Sequence, residues 1–328
     1  TFYLINNFYV DTANLEELTE EAIISVLKEL DPHSAYISKK DVEKANEPLV
    51  GSFEGIGVTF QIFQDTILVI SPVPGGPSDR VGILAGDKIV KIDGEDAFGK
   101  KVTNEYVAEH LRGKKGTKVT LGIKRGKSDE LIDFDVIRDK IPLNSIDAAF
   151  MVDKNVGYIK LDRFAKTSNT EFEESLVKLK SQKIKSLILD LRGNTGGYLN
   201  VAAELSNQFL KKDMTIVYTE GDKSPKQIFN TDKNGKFTDG KLIILIDEGS
   251  ASASEIVSGA VQDWDRGILI GRRSFGKGLV QRPFNLPDGS QVRLTTARYY
   301  TPTGRCIQRS YEKGSEDYYN EMTKRMKH

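Results

Sequence analysis

Asp247-Glu-Gly-Ser-Ala-Ser-Ala-Ser-Glu-Ile256 joins an apolar stretch, predicted to be a buried strand over 242–247, to a predicted helix over about 253–264. On either side of this junction, further apolar strands are predicted at 156–164, 186–191 and 267–271, with helices between them. Buried strands that alternate with helices indicate an α/β core of layered sheet and helix with crossover connections.

The chain changes character twice outside this core. Its first segment has the apolar spacing of an amphipathic helix, and the next has short strands separated by glycine turns. The sequence therefore predicts an N-terminal helical segment over 1–50, a small β-rich domain over 51–140, the core over 141–310, and a charged tail over 311–328. The tail and the start at Thr1, without a secretion signal, favour a mature or trimmed fragment.

Composition excludes several classes of protein. Lys plus Arg and Asp plus Glu both total 47 in 328 residues, so the formal net charge is zero. A nucleic-acid-binding protein normally carries a basic field, so no nucleic-acid partner is expected. Cys306 is the single cysteine, which rules out an intrachain disulfide. Neither a metal nor a cofactor is expected.

The serine run lies where a helix begins. Backbone N–H groups are unpaired there and the helix dipole is positive, and both features stabilise an oxyanion. The alternative is that small Ser and Ala residues only permit close packing and cap the helix.

A serine nucleophile needs a base, but the histidines are only His33, His110 and His328. His33 follows a helix-ending Asp-Pro turn and is predicted to be a cap or a surface residue.

Lys277, in Ser274-Phe-Gly-Lys-Gly-Leu-Val-Gln281, is the predicted base. A lysine acts as a base when desolvation lowers its pKa. A helix of a dozen residues rises roughly 18 Å, and the following strand returns a similar distance, so Lys277 can lie beside Ser252. Gln281 faces the same side of an extended chain and can orient the amine. The alternative is a solvated lysine in a glycine turn.

A glycine loop, Asp190-Leu-Arg-Gly-Asn-Thr-Gly-Gly197, follows another predicted strand. It lacks the Gly-Lys-Ser/Thr ending of a phosphate loop. We predict that the N–H of Gly196 or Gly197, together with the N–H of Ala253, stabilises the oxyanion. A plain tight turn is the alternative.

Together these motifs resemble the carboxy-terminal processing, or tail-specific, proteases. The blocks that match in the family's order are Leu30-Asp-Pro-His-Ser34, 51–57, Asp190-Leu-Arg192, Gly196-Gly197, 250–255, Gln262-Asp263, Phe275-Gly-Lys-Gly278, Gln281, 297–302 and Gly304-Arg305. The resemblance implies a crotonase-like core and a Ser-Lys dyad in which the nucleophile is Ser252 rather than Ser250 or Ser254. It implies that Gln281 supports Lys277 and that Asp263 is structural. A periplasmic location in a bacterium is implied by resemblance alone.

The resemblance also implies that residues 51–140 form a PDZ domain. Gly55-Ile56-Gly57-Val58 would offer backbone N–H groups to a terminal carboxylate, and a peptide would add as a strand. A simple turn is the alternative. Arg112 would couple peptide binding to the protease core, unless it is only a solvated arginine. Relatives usually have Pro-Ala where this chain has Pro77-Ser78, which leaves its tail preference open.

The sequence therefore predicts a serine endopeptidase that recognises and cleaves proteins with accessible C-terminal tails. A peptide-binding scaffold with an inert core is the second hypothesis. An acyl-CoA enzyme is the third, but it leaves the PDZ-like region and the lysine unexplained. The N-terminal segment also contains four apolar residues, Phe2, Tyr3, Leu4 and Phe8. We expect them to pack either on another subunit of a homo-oligomer or on the chain's own core.

Overall fold

The structure is a computed structural model that describes residues 1–99, 102–126, 128 and 130–326. Its contacts divide the chain into two compact units. One unit contains Thr1–Val50 and the chain from Asn144 onward, and the other is Gly51–Leu143. The N-terminal segment therefore belongs to the same unit as the α/β core.

The N-terminal segment contains α1 (Phe2–Phe8), α2 (Leu15–Leu30), β1 (Ala35–Ile37) and α3 (Val42–Val50). Helix α2 ends at Leu30, as the Asp-Pro turn predicts, and Asp31 is extended. No side chain of α1 is buried, and the side chains of Tyr3 and Phe8 are 72% and 74% exposed. Packing of α1 on the chain's own core is therefore not observed, and packing on another subunit stays a prediction.

The smaller unit is β-rich, as predicted. Its elements are β2 (Ser52–Gly55), β3 (Val58–Phe63), β4 (Thr66–Pro72), α4 (Pro77–Arg80), β5 (Lys88–Ile92), β6 (Glu95–Asp96), α5 (Asn104–Leu111), β7 (Lys118–Lys124), β8 (Leu131–Ile137) and β9 (Asp139–Pro142). The main sheet has the order β3-β4-β5-β7-β8 and is antiparallel, while β2 pairs with β9. Thr103 caps α5, since its Oγ1 accepts the Tyr106 N–H at 3.1 Å.

The larger unit alternates strands and helices. Its elements after Asn144 are β10 (Ile146–Asp153), β11 (Val156–Leu161), α6 (Ser168–Ser181), β12 (Ser186–Asp190), α7 (Leu199–Asn207), β13 (Thr215–Gly221), β14 (Ser224–Asn230), β15 (Lys241–Ile246), α8 (Ala253–Asp263), β16 (Ile268–Gly271), β17 (Leu279–Asn285), β18 (Gln291–Tyr300) and α9 (Ser315–Met326). One sheet has the order β10-β11-β12-β15-β16, with the last four strands parallel. The predicted α/β core is confirmed.

The parallel strands place the candidate site. The carboxyl ends of parallel strands share one edge of a sheet, and ligands commonly bind there in open α/β folds. The glycine loop follows β12 and the serine run follows β15, so both lie at this edge. A second sheet, in which β18 pairs with β1, β13 and β17, supplies Lys277 just before β17. None of the helices in the described part of the chain has the length and apolar character that a bilayer crossing requires.

Candidate active site

Ser252 is distinguished from the neighbouring serines by what its hydroxyl contacts. Ser250 and Ser254 are fully buried, and their Oγ atoms each donate to a backbone carbonyl of the glycine-loop segment, at 2.8 Å in both cases. Ser252 lies at the start of α8 and is only half-buried. Its side chain takes part in the capping box of α8 with Glu255, but no bond from its hydroxyl to a backbone carbonyl is found among the described residues, and it lines a cavity. The middle serine is therefore the one whose hydroxyl is available for chemistry.

The backbone of Ser252 is strained. Its φ of 54° and ψ of −110° lie in a region that L-residues rarely adopt. Such strain persists only where the surroundings hold it, and it concentrates at functional sites. Here two contacts hold it: the Ser252 N–H donates to Glu255 Oε2 at 2.9 Å, and the Tyr299 hydroxyl lies 3.1 Å from the Ser252 carbonyl oxygen.

Lys277 and Gln281 meet as the sequence predicts. Lys277 Nζ donates to Gln281 Oε1 at 3.0 Å. The other end of the amide, Gln281 Nε2, donates to the carbonyl of His33, and this fixes which atom of the amide faces the lysine. An amine held in this way keeps its lone pair free for another partner. No hydrogen bond joins Ser252 Oγ to Lys277 Nζ directly, although both side chains line the same cavity.

Burial lowers the pKa of the Lys277 amine below its ordinary value of 10.5, and the charge of Arg293 lowers it further. Asp31 and Glu255 raise this pKa, but their effects are smaller. The net shift favours the neutral amine, which is the form that accepts a proton.

Glu255 joins the serine to the lysine. Its buried carboxylate accepts hydrogen bonds from four donors, which are Ser252 N–H, Ser274 Oγ–H, Gly276 N–H and Lys277 N–H, at 2.7–2.9 Å. Burial raises the pKa of Glu255, while the four donors favour its charged form. One side chain therefore fixes the backbone on both sides of the proposed dyad.

We expect Glu255→Gln to lower kcat/KM by about 100-fold, because the amide NH₂ would face N–H donors and displace the dyad. Leaving buried donors unsatisfied should also lower the free energy of unfolding by about 3 kcal/mol. Peptide-cleavage kinetics and urea unfolding would measure the two effects. Glu248→Gln is the matched control, since that carboxylate pairs with Arg272 instead. A Glu255→Gln variant with parental kinetics would contradict this role.

Tyr299 adds a second link between the same two residues. Its hydroxyl contacts the carbonyl oxygens of both Ser252 and Lys277. Burial raises the pKa of Tyr299 well above its ordinary value, so the phenol stays protonated and remains a donor. Local sequence pattern does not predict this contact, since Tyr299 lies 47 residues after Ser252.

The three predicted oxyanion donors differ in the structure. The Gly196 N–H donates to Asn194 Oδ1 at 2.9 Å, so it is already engaged within its own loop. No acceptor is found for the N–H of Gly197 or of Ala253 in the described part of the chain. A Cβ on Gly196 would lie 3.0 Å from the Ala253 nitrogen, which shows how closely the loop approaches the serine. Of the two glycines, Gly197 is therefore the one left with a free N–H.

His33 lies beside the lysine and not at the surface, so its predicted role as a cap or surface residue is wrong. Its ring is half-buried, lies near Phe275, and hydrogen-bonds through Nε2 to the Tyr318 hydroxyl at 2.9 Å. Burial and the charge of Lys277 lower the pKa of His33 to about 4, so the ring is neutral near pH 7. The Asp31 carboxylate accepts the N–H groups of His33 and Ser34 and fixes the turn.

Ser252, Lys277 and Gln281 line one cavity of about 340 Å³. Its apolar walls include Leu49 from α3, together with Leu199, Ile256 and Leu279. Larger cavities lie elsewhere in this unit, for example about 490 Å³ at the ends of β11 and β12. The site is assigned by the reactive side chains and not by cavity size.

In the smaller unit, the carbonyls of Ile56 and Gly57 in the predicted carboxylate-binding loop are both occupied. The Ile56 carbonyl accepts from Ser78, and the Gly57 carbonyl accepts the Val73 N–H at 2.9 Å. No acceptor is found for the N–H of Gly57 within the described residues. Gly57 has a φ of +71°, and a Cβ there would meet Ile141 at 2.9 Å, so glycine is required. Gly55 and Val58 flank the loop in β2 and β3.

Ser78 stands where relatives usually have alanine, and the structure shows what its hydroxyl does. It is fully buried, and both its Oγ (2.8 Å) and its N–H (3.0 Å) donate to the Ile56 carbonyl. This second bond fixes the peptide plane that carries the Gly57 N–H. We expect Ser78→Ala to weaken binding of a free-acid tail peptide about fivefold, as the loss of one neutral hydrogen bond implies.

Calorimetry with free-acid and amidated tail peptides would test this expectation. The amidated peptide should bind weakly to both forms, so only the free-acid affinity should respond to Ser78→Ala. Exposed Ser128→Ala, in the same unit, is the control. Equal free-acid affinities for Ser78→Ala and the parent would contradict the role of this hydroxyl.

The contacts described for Arg112 are with residues of the smaller unit. It pairs with Gly55 in an antiparallel bridge, and its guanidinium lies over the Phe53 ring at 4.7 Å. These contacts connect the end of α5 to the start of the predicted carboxylate-binding loop. Coupling to the protease core stays a prediction.

Comparison with known proteins identifies the family. The model of peptidase family S41 matches residues 155–315, and the PDZ domain model matches residues 55–136. A carboxy-terminal-processing protease of Bartonella bacilliformis is 38% identical over 312 residues, which cover 94% of this chain and 71% of that protein. The chain belongs to peptidase family S41. The resemblance seen in the sequence is thereby confirmed, as is the presence of a PDZ domain.

Other S41 relatives agree. A CtpA-like serine protease of Staphylococcus haemolyticus is 35% identical over 305 residues, covering 92% of this chain and 60% of that protein. The solved structure of a photosystem II D1 C-terminal processing protease has a TM-score of 0.55 at 26% identity, covering 93% of this chain and 83% of that one. This S41 chain thus spans between 60% and 71% of the length of these two curated relatives.

Proposed function

We propose that this S41 chain is a serine endopeptidase that cleaves proteins near their carboxyl ends, with Ser252 as nucleophile and Lys277 as general base. The observation that carries the proposal is the contrast among the three serines. Of the three, only the hydroxyl of Ser252 donates to no backbone carbonyl among the described residues, and Ser252 lines a cavity together with an amine of lowered pKa. Ser250 and Ser254 are committed to structural hydrogen bonds.

The proposed chemistry needs Lys277 Nζ to come within hydrogen-bond reach of Ser252 Oγ, a contact that often tightens only when substrate binds. The neutral amine takes the hydroxyl proton while Oγ adds to the scissile carbonyl carbon. The oxyanion accepts hydrogen bonds from the Ala253 and Gly197 N–H groups. The ammonium then returns the proton to the leaving amine as the C–N bond breaks. Water activated by Lys277 cleaves the acyl-enzyme ester, which releases the new carboxylate and restores the serine hydroxyl.

Tail recognition is proposed for the PDZ domain. A terminal carboxylate would accept hydrogen bonds from the Ile56 and Gly57 N–H groups, while the peptide adds as a strand beside β3. Arg112 would couple this binding to the core. If Arg112→Ala cleaves tail substrates at the parent rate, the coupling role is wrong.

The proposed function is tested by mass spectrometry of products from a panel of unfolded proteins with different tails, together with a serine-reactive fluorophosphonate probe. We expect fragments from proteins with apolar tails and stoichiometric labelling at Ser252. A peptide-binding scaffold would bind the tails without fragments and without labelling. Such a result would replace the peptidase proposal with the scaffold.

Two further properties are proposed and need their own tests. Export to a bacterial periplasm predicts the full-length protein in the periplasmic fraction of its host. A homo-oligomer built on α1 predicts a sedimentation mass above 36.5 kDa that falls to the monomer value after Phe8→Asp.

A further inference from the structure

Arg163 lies beside the proposed oxyanion loop. It follows β11 and precedes Phe164, whose N–H donates to the Gly196 carbonyl at 3.0 Å and whose carbonyl accepts the Tyr198 N–H at 2.9 Å. These two bonds hold the backbone next to Arg163 against the glycine loop. The Arg163 side chain lines the same cavity as Ser252.

Arg163 has no partner for its charge among the residues that the structure describes. No hydrogen bond or ion pair is found for its guanidinium in the described part of the chain, and its Nε is buried without an acceptor. By contrast, Arg192 is paired with Asp190, and Arg272 is paired with Glu248. An unsatisfied buried donor is unfavourable, and a ligand that supplies an acceptor removes that cost.

The rest of the cavity also favours an anion. Its described lining contains Arg163, Arg293 and Lys277 and no Asp or Glu. Arg293 is already held by the Ala45 carbonyl and by Asn46 Oδ1, at 3.0 and 3.1 Å. Arg163 is therefore the cation that is left to contact a substrate.

We propose that Arg163 binds an acidic side chain of the substrate, an Asp or Glu close to the scissile bond. This inference rests on the proposed peptidase function and adds a substrate preference to it. A carboxylate matches the planar donor pattern of a guanidinium and supplies the acceptor that Nε lacks. The terminal carboxylate of the tail is already assigned to Ile56 and Gly57, so a side chain is the favoured source.

The proposal can be tested with a series of peptides derived from one peptide that the chain cleaves. At each of the few positions on either side of the cut, the series carries Glu, Gln or Leu in turn. At one position we expect kcat/KM for Glu to exceed that for Gln by about fivefold, as a partly exposed ion pair allows. The preference should weaken at high salt and disappear in Arg163→Gln. Arg282→Gln, an exposed arginine outside the cavity, should keep it.

A second readout separates this role from damage to the loop. Arg163 is not among the groups that shift the pKa of Lys277, so Arg163→Gln should leave the pH dependence of kcat/KM unchanged. Equal rates for Glu and Gln at every position, or a preference that survives Arg163→Gln, would overturn the proposal. The proposal would also be overturned if cleavage depended only on whether the peptide's C-terminus is a free acid or an amide, and not on Glu against Gln.

Binding to Ser252→Ala makes the test independent of cleavage. Fluorescence anisotropy should show the same Glu-over-Gln preference with Ser252→Ala, and its loss in Ser252→Ala/Arg163→Gln. If the wild-type chain cleaves no peptide, the peptidase proposal fails. The binding comparison still decides for or against Arg163.

Discussion

Ser252→Ala is expected to lower kcat/KM for peptide cleavage by about 10⁴-fold or more and to abolish labelling by a fluorophosphonate. The loss is large because no other hydroxyl can replace the nucleophile. Ser250 and Ser254 donate to the backbone of the glycine-loop segment and are fully buried. Cleavage kinetics with a fluorogenic tail peptide and intact-mass analysis after labelling would measure both effects.

The fold should survive the same substitution. The Ser252 hydroxyl donates to no backbone carbonyl among the described residues. Alanine therefore loses only the side-chain half of the capping box with Glu255, and it keeps a Cβ at the same strained φ of 54°. We therefore expect the free energy of unfolding to change by less than about 1 kcal/mol. Circular dichroism and urea unfolding would establish that lost activity is not lost structure.

Ser254→Ala is the matched control. It removes a buried hydroxyl that donates to Asn194, so it should lower stability by about 1–2 kcal/mol and still allow labelling at Ser252. Peptidase activity retained in Ser252→Ala, or labelling lost in Ser254→Ala alone, would contradict the assignment of the nucleophile.

Some of this arrangement is readable from the sequence because it depends on local pattern. The apolar strand before the serine run predicts a helix start at Ser252, and the spacing of helix and strand allows Lys277 to return beside it. Gln281 is predictable because alternate residues of an extended chain share a face. The structure places Gln281 against Lys277 at 3.0 Å.

The contacts that orient Ser252 and Lys277, the proposed dyad, were not predictable in the same way. Glu255 lies within the serine motif, but its bond to Gly276 spans 21 positions, and the bond from Gln281 to His33 spans 248. No local periodicity encodes such pairs. His33 was misassigned for this reason, since the turn beside it looks like a surface turn until the C-terminal Tyr318 covers its ring. Arg163 likewise lies in no motif, and only the folded structure shows that it lines the cavity and that its Nε is buried without an acceptor among the described residues.

Lys277→Met is expected to lower kcat/KM by about 10³–10⁴-fold, because it removes the proton acceptor and keeps the side-chain volume. In the parent, kcat/KM should rise with pH through the lowered pKa of Lys277, well below the 10.5 of an ordinary lysine. In Lys277→Met this rise should be absent. Lys277→Arg is the charge-preserving control and should be equally inactive, since a guanidinium stays protonated.

Lys277→Met should raise the free energy of unfolding although it lowers activity. The folded state lowers the pKa of Lys277, so below pH 10.5 the protein must either release a proton or bury a charge when it folds. The free-energy cost of doing so grows as the pH falls, until the pH reaches the pKa of the folded state. Lys277→Met removes that cost. It should therefore unfold at a higher urea concentration than the parent at pH 7, and the difference should shrink as the pH approaches 10.5.

These two signatures together separate a buried base from a structural lysine. A lysine that only fills space or carries a surface charge would lose little activity on substitution and would give a stability difference that is flat with pH. A solvated ammonium would show no rise of kcat/KM with pH below its ordinary titration range. A Lys277→Met variant that is both active and no more stable than the parent at pH 7 would therefore remove the general base from the proposed mechanism.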